Sequence, residues 1–77
     1  MSEMNWETEE LINWIINDSR EWPNTKLEDI GKRWEKGDLS DSAAKAALRK
    51  LGKSIMTDPQ FDLAKVDWES VLLYAAS

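Results

Sequence analysis

The sequence predicts an all-α fold: a compact bundle of three to four short helices. Three observations carry that prediction. Apolar residues recur at helical spacing in three separate stretches, Met4 to Glu21, Thr25 to Lys36 and Ser42 to Ile55. Helix-stopping and helix-starting residues fall between them, at Pro23, Gly37, Ser40, Thr57-Asp58-Pro59-Gln60 and Asp67. The chain has 77 residues, enough for one domain (1–77) and one small core that every helix must share.

Each element follows from local chemistry. Over Met4 to Glu21 the residues Met4, Leu11, Ile15 and Trp22 share a face, with Ile12 and Trp14 on its flanks. Trp6 points the other way, among Glu3, Glu7 and Glu10. Acidic residues in the first turns suit the positive end of the helix dipole. Pro23 predicts a stop at Trp22, because the residue before proline is pushed out of the helical region. A capping-box pattern, Thr25-Lys26-Leu27-Glu28, predicts a second start. Leu27, Ile30 and Trp34 line the inner face of that helix, and Gly31 beside them invites a close backbone approach. Lys32, Arg33 and Lys36 face outward, and Gly37 is a C′ residue. Ser40 caps the third helix, which ends at Gly52 or Ile55. Phe61 to Val66 reads either as a short extended piece or as the start of a last helix capped by Asp62. Asp67 is the better cap, with Trp68 to Ala75 as a short apolar final helix.

Composition removes several functions. With no cysteine there is no disulfide and no thiolate metal site; with no histidine the usual general base and commonest metal ligand are missing. Asp58, Asp62, Asp67 and Glu69 lack the order of a calcium loop. No enzyme, cofactor or metal is therefore expected. The longest apolar run, Val71 to Ala76, is too short to span a bilayer, and the N-terminal residues lack a basic or apolar leader, so the expected location is the cytoplasm. Neither is a membrane-surface role expected, since the core needs the apolar face of the basic helix.

Five tryptophans in so short a chain invite two readings. Most are expected in the core, where large side chains bury the most area per residue. One or two are left to anchor a partner, Trp6 first among them. Charge is unevenly divided. Met1 to Ile30 carries a net −6, Gly31 to Lys53 a net +4, and Ser54 to Ser77 a net −3, for a total of −5. Such a division gives complementary surfaces within one fold or between copies.

Within the basic middle, Ala44, Ala47, Leu48, Leu51 and Ile55 fall on one side of a helix and Lys45, Arg49, Lys50 and Lys53 on the other. Lys26 to Ile55 thus reads as a short helix, a turn containing Gly, and a second helix with a polar outer face. This resembles the general layout of DNA-binding helix-turn-helix domains, with Gly37 later than in a compact motif. The resemblance implies a dimer that places residues 41–55 in the major groove of double-stranded DNA. Gly31 would then take the close approach of the two helices. Ser42, Lys45, Ala46 and Arg49 would face bases, and Lys32, Arg33, Lys50 and Lys53 would meet phosphates. The net acidity works against this.

An alternative makes the acidic surface the working one. Glu3, Glu7, Glu9, Glu10, Asp18 and Glu21 would engage a basic groove on another protein, as a phage-type inhibitor or nucleic-acid mimic does, with Trp6 as anchor. Taken together, the residues point first to a small non-catalytic regulatory or accessory protein acting through a protein partner, with Trp6, Glu3, Glu7 and Glu10 as the contact. A homodimer seam along the first helix and the Trp68 segment is a further option.

Overall fold

The computed structural model describes residues 5–77. Among them are four α-helices and one short 3₁₀ turn, and no strand: α1 (Trp6–Ile16), α2 (Trp22–Glu35), α3 (Asp41–Ile55), the turn Leu63–Lys65, and α4 (Trp68–Ala76). The all-α bundle expected from the sequence is the observed fold. No helix among the described residues is long and apolar enough to cross a membrane.

Local capping chemistry sets most boundaries. Asn5 caps α1 by accepting the Thr8 amide at 2.9 Å. Ser40 caps α3 through the Ala43 amide at 3.1 Å, and Asp67 caps α4 through Ser70. At the end of α2, Gly37 takes φ +86°, the left-handed conformation that glycine adopts without a Cβ penalty. The Gly37 amide then donates to the Trp34 carbonyl and the Asp38 amide to the Arg33 carbonyl, the paired bonds of a Schellman ending. The ambiguous stretch resolves as the 3₁₀ turn Leu63–Lys65, capped by Asp62 through the Ala64 amide at 3.0 Å.

The first boundary differs from expectation. α1 ends at Ile16, not Glu21, and α2 begins at Trp22, not Thr25. The reason is a tight turn at Asp18. Its carboxylate accepts the Arg20 amide, which a continuing helix would bond to a backbone carbonyl one turn back, and the Arg20 guanidinium as well. Pro23 therefore opens the next helix, at a position where its missing N–H costs nothing, and does not close the first. Trp22 belongs to α2, and Thr25 lies inside that helix with no capping box. Met4 lies outside the described residues.

The core joins all four helices: Leu11 and Ile15 from α1, Leu27 and Ile30 from α2, Leu48 and Leu51 from α3, Val71 and Leu72 from α4. Trp68 is buried among them, over Gly52. The Trp68 indole is thus part of the chain's own core, while Leu73 and Tyr74 of the same helix stay exposed. The tightest approach is between α2 and α4. A Cβ on Gly31 would stand 2.7 Å from the Ala76 nitrogen and closer still to the carbonyl of Ala75. The close approach read from the sequence is real, but its partner is α4 and not α3.

One buried polar residue ties the ends together. Thr8 is fully buried; its hydroxyl donates to the Asn5 side chain and accepts the Asp67 amide at 2.8 Å. The Asn5 amide group donates to the Lys65 carbonyl at 2.6 Å. The start of α1 is thereby fixed to the start of α4, which sets how α1 presents its outer face.

Candidate interaction surfaces

α1 turns Thr8, Leu11, Ile12 and Ile15 inward. Trp6, Glu10 and Trp14 follow one another at four-residue steps, about 6 Å apart along the axis, in a row that runs from opposite the buried face at Trp6 to its flank at Trp14. Trp6 is 63% exposed and Trp14 48%. The Trp6 ring leans on Phe61, with centroids 6.1 Å apart, which steadies it without covering it. The Trp14 indole N–H donates to the Glu10 carboxylate at 3.1 Å. Glu10 and Glu7 are half-buried on the same side. Trp14, Glu10, Asn13, Asn17, Asp18 and Ser19 line an open depression of about 460 Å³. Glu3, the remaining residue expected here, lies outside the described residues.

Asp18 at the rim of this depression is held ionised. The Arg20 side chain and amide hydrogen bonds keep its carboxyl at about 2, below its ordinary 3.8. The Arg20 guanidinium also lies 5.1 Å above the ring of Trp22, a cation–π arrangement.

The expectation that most tryptophans serve the core is corrected. Trp68 is buried and Trp34 partly so, its N–H donating to Asp41 at 2.6 Å, while Trp6, Trp14 and Trp22 stand in solvent. Sequence periodicity placed Trp14 on the flank of the apolar face and so passed over it as a contact residue. The signal present was its i+4 spacing from Glu10 and i+8 spacing from Trp6. On the far flank of α1, Ile16 and Tyr74 are also exposed, and Tyr74 lines a shallow hollow with Glu9, Ile12 and Asn13.

The basic residues occupy another part of the molecule. Ser42, Arg49, Lys50 and Lys53 are exposed along α3, as expected, whereas Lys45 is half-buried. Lys32 and Arg33 are exposed at the far end of α2, with Arg33 engaged by Asp29 at 3.1 Å. The first turn of α2 and the last turns of α3 form one groove. Trp22, Lys26, Ala47, Lys50, Leu51 and Ser54 line it, with a volume of about 260 Å³. At the other end of the pair, Trp34 is bonded to Asp41 across the connection between α2 and α3. Lys32 and Arg33 lie in the last turn of α2, and Lys50 and Lys53 toward the end of α3. Trp22 and Lys26 were not among the contact residues expected from the sequence. Only the pairing of α2 with α3 brings them beside Lys50.

Among the described residues no group of three or more acidic side chains is placed to hold a metal ion. No protein-family model, no curated protein and no solved structure matches the chain.

Proposed function

We propose that this is a small non-catalytic accessory protein that acts by binding another protein through the outer face of α1. The observation that carries this reading is the pair of exposed tryptophans, Trp6 and Trp14, eight residues apart on one helix face with carboxylates between them. Large aromatic side chains standing in water forgo the burial that would stabilise the fold. At interfaces the same residue type supplies a disproportionate share of binding energy. The carboxylates of Glu7 and Glu10 beside the rings favour a basic complementary surface, and the chain's net −5 steers it toward one. An inhibitor or nucleic-acid mimic would use the same face.

The test is capture of partners from a cell lysate by the immobilised protein, compared with Trp6→Ala, Trp14→Ala and the pair Glu7→Lys with Glu10→Lys. Both indoles are exposed, so the variants should keep the helical circular dichroism of the parent. Loss of a contact worth about 2 kcal/mol would weaken capture roughly 30-fold. Capture untouched by all three changes would sink the α1 reading.

Binding to double-stranded DNA through α3 is the second reading, supported by the exposed Arg49, Lys50 and Lys53, with no carboxylate on α3 after Asp41. The half-buried Lys45, one of the residues that would face bases, lends it less support. Amide shifts on adding duplex DNA, confined to Ser42–Lys53 and weakening steeply with salt, would favour it.

A further inference from the structure

The acidic tryptophan stripe on α1 has a counterpart on the same chain. The groove between α2 and α3 offers an indole wall in Trp22, a floor of Ala47 and Leu51, and one ammonium group on each helix, Lys26 and Lys50. No carboxylate lines it. Its volume, about 260 Å³, is small for a drug-sized ligand and suited to a single large side chain. Glu7, Glu10 and Trp14 form the matching stripe, one indole edged by two carboxylates on consecutive turns of α1. The stripe and the groove share no residue, and the stripe runs along the solvent-accessible flank of α1.

We propose that the α2–α3 groove of one molecule receives Trp14 of a second copy, with Lys26 and Lys50 meeting Glu7 and Glu10. This rests on the reading of α1's outer face as a docking surface and goes further by naming an occupant for it. Charge complementarity selects the occupant. The groove is cationic with an apolar floor, and Trp14 is an exposed aromatic on this chain with a carboxylate at hydrogen-bonding range, Glu10 at 3.1 Å. Because donor face and groove are different surfaces, the contact is heterologous: copies join head to tail into a ring or an open row, not a two-fold pair. Self-association then covers the same face that would bind another protein, so the two compete.

The experiment is sedimentation equilibrium of the full chain across a hundredfold range of concentration, at low and at high salt. The wild type should grow beyond a dimer with concentration and fall back toward monomer as salt screens the lysine–carboxylate pairs. Lys26→Glu with Lys50→Glu, and separately Glu7→Lys with Glu10→Lys, should each weaken association at least tenfold. Lys26, Lys50 and the α1 stripe lie outside the buried core, and circular dichroism checks that both variants fold. An equimolar mixture of the two variants should associate again, each one's α1 now matching the other's groove. A wild type that stays monomeric throughout overturns the proposal but leaves the α1 docking face intact, because partner capture is read separately. Association that neither double variant weakens, or a mixture that fails to recover, also overturns it.

Discussion

Replacing Gly31 by alanine drives a methyl carbon into the backbone of α4. The new Cβ would lie 2.7 Å from the Ala76 nitrogen and nearer to the Ala75 carbonyl, where an ordinary contact needs about 3.5–4 Å. Backbone cannot rotate aside as a side chain can, so α4 must withdraw by about 1 Å. That loosens Leu27 and Ile30 against Val71, Leu72 and Ala75, the interface where α2 packs most extensively. Overpacking of this kind costs about 3 kcal/mol. Alanine returns about 1 kcal/mol in helix propensity. The expected net loss is about 2 kcal/mol, or roughly 8–16 °C in Tm for a domain of this size. Gly52→Ala is the control. Its Cβ would meet side chains only, Trp68 at 3.0 Å, Leu11 at 3.4 Å and Leu63 at 3.5 Å, which can shift by a few tenths of an ångström. There the propensity gain and the crowding nearly cancel, to within about 1 kcal/mol. Urea unfolding followed by the buried Trp68 and by helical circular dichroism measures both. A Gly31→Ala protein as stable as the parent would refute the argument from backbone contact.

Two further outcomes follow from single side chains. Thr8→Val keeps the shape of a fully buried residue but strands the Asp67 amide; it should cost about 1–2 kcal/mol in urea unfolding, whereas Thr8→Ser should retain most of the stability. An unchanged midpoint for valine would mean that water replaces the hydroxyl. Asp18 should titrate at about 2 by carboxyl carbon NMR, moving up toward 3.8 in Arg20→Gln. Since its folded value is depressed, its contribution to stability is complete above about pH 4 and fades as pH falls toward 2. A midpoint near 3.8 in the parent would show that the Arg20 pair does not form in solution.

What the chain determined by itself are the features that close within a few residues. Ser40, Asp62 and Asp67 cap their helices because each oxygen reaches an amide two or three residues on, and Gly37 ends α2 because the left-handed turn is local. The apolar stripe Leu11–Ile15 and the buried face of α3 follow from helical periodicity in the same way. Pro23 shows the limit of such reasoning. It disfavours the helical region at the residue before it without forbidding it, as the helical Trp22 shows, and it suits a helix start equally well; the turn at Asp18 decided between stop and start. Gly31 announced a close approach, yet only tertiary packing supplied α4 as the neighbour. The tryptophans were the least legible. Hydrophobicity argues for burial of all five, but four short helices enclose one small core. Trp68 occupies it, Trp34 is partly covered beside it, and Trp6, Trp14 and Trp22 are left outside. Which rings lost that competition depended on how α1 is tied down through Thr8 and how α2 packs against α3. Both are long-range contacts, and so are the surfaces they create: the stripe on α1 is a matter of spacing, whereas the groove of Trp22, Lys26 and Lys50 exists only once two helices are side by side.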